Sequence, residues 1–250
     1  KGNESMTLRP EGTASICRAY LEHGMHNLPQ PVRLYYFCPI FRYERPQAGR
    51  FRQHHQFGLE ALGDSDPAID AEVIQLAWLF TKRLGLNDVS LSVNSIGDQE
   101  CRPAYIEELR KYYLNSKKKL CQNCEIRVQN NPLRLLDCKV EECQDLAIRA
   151  PRSIDYLCKD CLDHWTNVTN YLTSLSIPFE IDTSLVRGFD YYPRTVFEIE
   201  PKTAKGQSTI IGGGRYDGLM SQIGGKVVPG IGFAAGIERL ILNLSKQNVV

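Results

Sequence analysis

"FRYERPQAGRFRQHHQFGLE", residues 41–60, concentrates Arg42, Arg45, Arg50 and Arg52 within eleven positions of a chain whose formal net charge is +1. "VRLYYFCPIFRYE" and "RFRQHHQFGLEALG" are rich in aromatic and β-branched residues, and "RPQAG" separates them. That pattern predicts an antiparallel hairpin with a long, mobile turn. Strand side chains alternate between faces. Arg42, Glu44, Arg52, His54, Gln56, Gly58 and Glu60 then share one face, and Phe51, Phe57 and Leu59 the other. The second face can pack on helices. The first carries guanidinium forks, an amide and carboxylates, which are recognition groups. The missing side chain at Gly58 leaves room there for a substrate to lie flat on the backbone. Arg45 and Arg50, at the turn, can swing onto a polyphosphate. A nucleic-acid backbone patch would continue in basic residues nearby, and this one does not.

Outward from the hairpin, "TASICRAYLEHG" has a helical pattern with Ile16, Ala19 and Tyr20 on one side. "PAIDAEVIQLAWLFTKRLG" predicts an amphipathic helix stopped by Gly85, with Ile69, Val73, Leu76, Leu79 and Phe80 as its apolar stripe. "VSLSVNSIGD", "FEIDTSLVRG", "TVFEIEP", "STIIGGGRYDG" and "GIGFAAGIERLILNL" carry strand texture. Residues 99–171 are lysine- and cysteine-rich with short helical pieces. The simplest organisation is α+β, a mainly antiparallel sheet flanked by helices and interrupted by an inserted module.

The bulk numbers narrow the function. With 42% hydrophobic and 24% charged residues among 250, the chain is an ordinary globular one. A charge near zero gives no general polyanion-binding signal. No apolar run approaches the ~18 residues of a membrane span, and no secretory leader is visible. The nine cysteines are odd in number, so reduced thiols in a cytoplasmic protein are expected. The chain opens on Lys1, and missing parts are expected at both ends.

"FRYERPQAGRFRQHHQFGLEALG" resembles the second signature of class II aminoacyl-tRNA synthetases, in the form used by histidyl-tRNA synthetases. "TLRPEGTASICRAYLEH", "LVRGFDYYPRTVFE", "GGGRYDGL" and "GIGFAAGIERL" resemble four further blocks of that family, in the same order. Five blocks in register outweigh any single motif. The resemblance implies the class II catalytic fold and a histidine–tRNA ligase activity. Histidine's carboxylate would attack the ATP α-phosphate, and tRNA(His) would take the histidyl group. It implies Mg2+ and a cytoplasmic homodimer. It places a dimer-building signature before Lys1 and an anticodon-binding domain after Val250.

Residue by residue, the resemblance implies ATP contacts from Arg42, Glu44, Arg50, His54 and Arg239. Arg42 would hold the α-phosphate, Arg50 and Arg239 the outer phosphates, and His54 the adenine, where the family tends to place an aromatic ring. Glu11, Thr13 and Gln56 match the positions that hold the ammonium of L-histidine. Glu60 and Tyr192, with Tyr191 alongside, match those that hydrogen-bond its imidazole. Glu60 as a buried structural acid paired with an arginine is the alternative. Arg187, in "LVRGFD", matches an arginine peculiar to histidyl enzymes that lies on the α-phosphate and the substrate carboxylate. Its alternative is a strand-end arginine paired with Asp190. "GGGRYDG" lacks the GKS/GKT ending of a phosphate loop. A glycine floor under the amino acid is what the family implies. A rival function is a non-charging paralogue, the histidine-binding regulatory subunit of ATP phosphoribosyltransferase, which erodes these arginines and generally dispenses with the insertion. Both are present here.

The resemblance divides the chain into a first catalytic part, residues 1–99, an insertion, 100–172, and a second catalytic part, 173–250. The insertion is expected to clasp the tRNA acceptor stem through "NSKKKL", Arg127, Arg134 and Lys139. Within it, "CQNC" and "CKDC" place Cys121, Cys124, Cys158 and Cys161 at spacings that suit a structural Zn2+. Cys138 and Cys143 are alternative ligands, and six reduced thiols are the other reading.

Overall fold

A computed structural model of the chain describes residues 5–43, 45, 47, 49–116, 120–188, 191–202 and 209–249. Helix α1 (Thr13–Glu22) precedes the hairpin β1 (Val32–Phe41) and β2 (Gln53–Leu62). Helix α2 (Pro67–Arg83) starts behind Asp66, whose carboxylate accepts from the Ala68 amide at 2.8 Å, a conventional N-cap. Strand β3 (Val89–Ser95) leads into four helices, α3 (Arg102–Asn115), α4 (Gln122–Asn130), α5 (Glu141–Ile148) and α6 (Lys159–Ser174). The chain closes with β4 (Glu180–Ile181), β5 (Thr195–Pro201), β6 (Ile211–Arg215), α7 (Leu219–Gln222), β7 (Gly230–Gly236) and α8 (Ile237–Lys246).

The seven strands form one sheet in the order β1-β2-β7-β6-β5-β3-β4. Every pairing is antiparallel except β3 with β4. The two-residue period sorts the faces. Odd-numbered Leu91, Val93, Phe197, Ile199, Ile211, Ile231 and Ala235 lie in the main core with Phe57 and Leu59 packed on it. Even-numbered His54, Gln56, Glu198, Gly212, Gly232 and Ala234 line a cavity on the opposite face. One face of the sheet therefore carries the main core, and the other carries the candidate site beside a smaller core in which Leu62 and Val196 pack with Cys17 and Tyr20 of α1.

The helix layer departs from the expected stripe on α2. Ile69, Asp70, Val73, Ile74, Ala77, Trp78 and Thr81 are buried, whereas Leu76 and Leu79 are exposed. Helix α2 packs on the sheet and on α6 together, so its buried face is wider and rotated from the leucine-led stripe. Phe51 also departs. It lies outside β2, lines the cavity and does not join Phe57 in the core.

The expected insertion has two owners. Tyr105, Leu109, Tyr113, Val128, Leu135, Leu146 and Ala150 build a separate small core. Helix α6, which composition assigned to the insertion, buries Trp165, Val168 and Leu172 in the main core. Residues near Tyr156 are where the small core ends, some way before 172. Lysine-rich composition marked the start of the module, but nothing in it marked α6 as core.

One buried polar cluster pins the helix layer to the sheet. Arg215, fully buried on β6, donates from Nε to Asp70 Oδ1 at 2.8 Å and from Nη1 to Asp217 Oδ1 at 3.0 Å. Its remaining protons reach the carbonyls of Asp64 and Asp66. His164 Nε2 meets Asp70 Oδ2 at 2.9 Å, bringing α6 into the same cluster. Burial raises the Asp70 pKa, but Arg215 and His164 outweigh it and hold the carboxyl below its usual range. Removing one partner of such a pair strands a buried charge. Asp70→Ala is expected to destabilise the fold by about 3–5 kcal/mol in chemical denaturation, and a paired Asp70→Leu/Arg215→Met variant by less. A single variant within about 0.5 kcal/mol of the native protein would contradict this reading.

Candidate active site

The cavity encloses about 710 Å3. Its walls come from segments distant in sequence, and Arg42, Arg50, Arg187 and Arg239 all line it. The Arg42 guanidinium is steadied by donating from Nε to the Pro10 carbonyl at 2.8 Å, and the Arg42 amide donates to the Arg52 carbonyl at 2.8 Å. The loop between β1 and β2 folds back through mutual backbone bonds between Gln47 and Arg50, of 3.3 and 2.8 Å. Arg239 stands in the first turn of α8 and reads that loop. Its Nε donates to the Gly49 carbonyl and its Nη1 to the Thr209 carbonyl, each at 2.8 Å. Glu44 lies outside the described residues, as do residues 117–119 of the expected basic stretch and Asp190. Arg45 is exposed and does not line the cavity, while Arg52 sits 4.9 Å over the Tyr43 ring.

Arg187 pairs with Glu198 on β5, whose other oxygen accepts from Thr209 Oγ1 at 2.6 Å. Its guanidinium lies flat on the β6 backbone: a Cβ at Gly212 would come within 2.5 Å of it. Any side chain there would expel the arginine, which gives the glycine a physical reason. Among the described residues, Arg187 Nε and His54 Nδ1 are buried without a hydrogen-bond partner. Buried polar atoms are rarely left so, and a ligand in the cavity is the natural partner for both. Burial, then Arg42, lowers the His54 pKa, so its ring is neutral near pH 7. The neighbouring His55 is held separately, its amide and Nδ1 both 2.9 Å from Glu238 Oε1.

The other part of the wall carries Glu11, Thr13, Tyr36, Gln56, Tyr191, Tyr192 and Tyr216. Glu11 accepts from the amides of Thr13 and Ala14 at 3.0 and 2.7 Å, so its carboxylate sits on the N-terminus of α1. The Tyr191 hydroxyl lies 3.5 Å from Glu11 Oε2, and the Tyr191 and Tyr192 rings are 4.7 Å apart.

Glu60 differs from the expectation. Glu60 is 1% exposed and is not among the residues that line the cavity. Thr13 Oγ1 donates to its Oε1 at 2.8 Å and the Tyr216 hydroxyl to its Oε2 at 2.5 Å. Burial raises its pKa to about 8 against the pull of those two bonds. Its partners in the described structure are hydroxyls and not an arginine, and both hydroxyls belong to residues that line the cavity. Gly58 differs too. Tyr36 pairs opposite it, and a Cβ at Gly58 would meet that ring at 2.2 Å, so an aromatic side chain and not a substrate covers the gap.

Tyr36, Tyr216 and Glu198 were not singled out from the sequence. Signals for them exist: Tyr216 is inside "GGGRYDG", and Glu198 shares an alternating face with Glu200 in "TVFEIEP". Arg134 and Lys139 of the small domain also line the cavity, and Arg134 donates to the Gly188 carbonyl beside Arg187.

The cysteines separate into two clusters, which corrects the expected ligand set. Cys121 and Cys124 meet Cys138 and Cys143, with Cys121 and Cys138 sulfurs 3.9 Å apart. Cys158 and Cys161 instead meet Asp98 and Cys101. Each CxxC pair opens a helix, α4 or α6, and the two helices belong to different cores. Spacing joined pairs that packing keeps apart.

The family model for histidyl-tRNA synthetase matches residues 1–240. The histidine–tRNA ligase of Dehalococcoides mccartyi (strain ATCC BAA-2266) is 60% identical over 249 residues, which cover 100% of this chain and 60% of that protein. The ligase of Halothermothrix orenii is 54% identical, covering 100% and 59%. Apo S. aureus histidyl-tRNA synthetase superposes with a TM-score of 0.78 at 39% identity, over 99% of this chain and 60% of its own. An ATP phosphoribosyltransferase regulatory subunit/histidyl-tRNA synthetase from Bacillus halodurans, TM-score 0.63 at 22% identity over 94% and 64%, shares the fold. The chain thus spans about three fifths of the length of the curated relatives it matches. Its antiparallel-dominated sheet flanked by helices is the class II aminoacyl-tRNA synthetase catalytic fold, and the chain belongs to the histidyl-tRNA synthetase family.

Proposed function

We propose that this chain is the catalytic portion of a histidine–tRNA ligase, which activates L-histidine with ATP and passes the histidyl group to tRNA(His). The observation that carries the reading is the convergence of Arg42, Arg50, Arg187 and Arg239 on one cavity beside an acid, amide and phenol wall. In the first step a histidine carboxylate oxygen bonds to the α-phosphorus as the bond to the pyrophosphate oxygen breaks. Histidyl adenylate forms and pyrophosphate leaves. In the second, a terminal ribose hydroxyl of tRNA attacks the histidyl carbonyl and AMP departs. Charge on the transferred phosphoryl group is the main load on the site, and preorganised guanidinium groups meet it.

Arg42 and Arg187 take the α-phosphate, and Arg187 also the substrate carboxylate. Arg50 and Arg239 take the outer phosphates. Their backbone anchors to Pro10, Gly49 and Thr209 support fixed positions, which is what catalysis by positioning requires. His54, neutral and with Nδ1 unmet among the described residues, suits adenine. Mg2+ enters with ATP as the counter-ion of its phosphates. Glu11 and Gln56 hold the histidine ammonium, with Thr13 beside them, and Tyr191 and Tyr192 the imidazole. Glu60 acts from behind, fixing the Thr13 and Tyr216 hydroxyls. A pocket of such paired polar groups rejects amino acids that leave them unpaired.

The small domain, bounded by the neck near residues 98–101 and 156–161, is assigned to the tRNA acceptor stem. Arg134 and Lys139 at the cavity, with Arg127 further out, support that assignment, since a 3′ end must enter there. Zn2+ at Cys121, Cys124, Cys138 and Cys143 would staple this domain. The 3.9 Å sulfur separation fits the ~3.8 Å of tetrahedral thiolates at a Zn–S bond of ~2.3 Å. Cys121 stands at the N-cap position of α4, and the Cys124 amide leads the effects that lower its pKa to about 7. A homodimer is part of the reading, and the edge strand β1 leaves Tyr35 and Phe37 exposed for a partner. So is a cytoplasmic location, where tRNA charging takes place; no helix among the described residues is long and apolar enough to cross a membrane.

In the full-length protein, Arg187→Ala is expected to lower histidine-dependent ATP–pyrophosphate exchange by about 10²–10³-fold. Native protein that binds histidine without any exchange would instead favour the regulatory-subunit reading. Glu60 gives a pH prediction. Its folded pKa is raised from the ordinary glutamate value of 4.5 to about 8, so its contribution is complete below 4.5. Stability then falls as the pH rises through that window, because the unfolded chain sheds the proton first. Thermal midpoints of Glu60→Gln should lack this decline, and identical slopes in both proteins would refute the buried-acid account.

A further inference from the structure

We propose that Asp98, Cys101, Cys158 and Cys161 form a second metal site, of the structural zinc type, that clamps the neck of the small domain. The four residues sit where the chain leaves the sheet and where it returns. Asp98 follows β3, Cys101 precedes α3, and Cys158 and Cys161 open α6. A metal there would join the two crossings of one neck, a position distinct from the staple inside the small domain.

The geometry fits. One ligand atom from each residue lies within 4.8 Å of all the others. Cys101 Sγ and Asp98 Oδ1 are 3.6 Å apart. Tetrahedral zinc, with bonds of ~2.3 Å to sulfur and ~2.1 Å to a carboxylate oxygen, sets that separation at about 3.6 Å. The donor set of three thiols and one carboxylate suits zinc, whereas calcium and magnesium prefer oxygen alone. All three cysteines are free thiols, and Cys101 and Cys161 are buried. Cys101 and Cys158 occupy the N-cap positions of α3 and α6, so two of the four ligands stand at the first turns of the helices that leave and re-enter the neck.

The charge is also provided for. Three thiolates and a carboxylate on a divalent ion leave a net −2. Arg194, whose Nη2 lies 3.3 Å from Asp98 Oδ2, offsets part of it from the outer shell. Arg194 is held in the left-handed region, φ 53°, by exchanging backbone bonds with Ile96 and Gly97. A non-glycine residue in that conformation is costly enough to need a reason, and bringing a cation to the cluster supplies one. The neck also reaches the cavity. Arg102, next to Cys101, donates to the carbonyls of Ile96, Gly97 and Tyr192 at 3.2, 2.9 and 2.5 Å. A metal at the neck would therefore order the backbone of Tyr192 as well as the seat of the small domain.

The inference is independent of the ligase reading, because its test counts metal and reads no catalysis. Metal analysis of the purified full-length protein is expected to give two zinc ions per chain. A Cys121→Ser/Cys124→Ser variant should retain one, and its cobalt form should show thiolate-to-metal charge-transfer absorption. Asp98→Asn and Cys158→Ser should each lose the neck ion and keep the other. If the Cys121→Ser/Cys124→Ser variant holds no metal, or if Cys158→Ser has the native metal content, the proposal is overturned. Should the cysteine variants fail to fold, the native protein decides by itself: anomalous scattering at the zinc edge in its crystals must place an ion among Asp98, Cys101, Cys158 and Cys161, and no peak there overturns the site. A disulfide among Cys101, Cys158 and Cys161 in the native protein, seen by non-reducing mass spectrometry, would overturn it equally.

Discussion

A guanidinium with no access to water must be neutralised and fully hydrogen-bonded, and Arg215 meets that demand only if three elements come together. Asp70 of α2, Asp217 beyond β6 and the carbonyls before α2 all face it, while His164 of α6 completes Asp70. Such a cluster adds little net stability over a well-packed apolar one, but it tolerates few arrangements. It therefore fixes how the two helices lie on the odd face of the sheet. The even face is left to carry the site.

That even face is shaped by what it lacks. Gly212, Gly232 and Gly236 keep the floor of the cavity low in the middle of the sheet. Long side chains then enter from the rim: Arg187 from the segment before β5, Arg239 from α8, Arg42 from the hairpin. Each has a backbone or carboxylate anchor, so each waits in place with part of its hydrogen-bonding capacity committed. A site for a polyanion built this way needs little reorganisation when charge develops.

Much of this was legible in the sequence because period-two alternation is strict. It separated Phe57 and Leu59 from His54 and Gln56, and the hairpin pairs as composition suggested. What alternation cannot give is depth. Glu60 is on the expected face, yet it lies behind the wall, because Thr13 and Tyr216 arrive from other elements and cover it. Gly58 reads as a gap until the register sets Tyr36 against it. The stripe on α2 failed for a related reason: two neighbours widened its buried face beyond what one apolar row records. Cysteine spacing misled because a CxxC pair announces a half-site and leaves its partner to the tertiary fold. The basic residues of the small domain were visible, but their arrival at the cavity through Arg134 and Lys139 required the packing of that domain.

The central claim is that guanidinium groups from separate segments surround one phosphate chain beside a cleft for an imidazole. The most direct measurement is a crystal structure of the full-length protein with L-histidine and a non-hydrolysable ATP analogue. The account predicts Arg42 and Arg187 on the α-phosphate, Arg239 on the outer phosphates and the histidine ring against Tyr191 and Tyr192. A nucleotide bound away from these arginines, or a histidine ring directed at the basic rim, would contradict it.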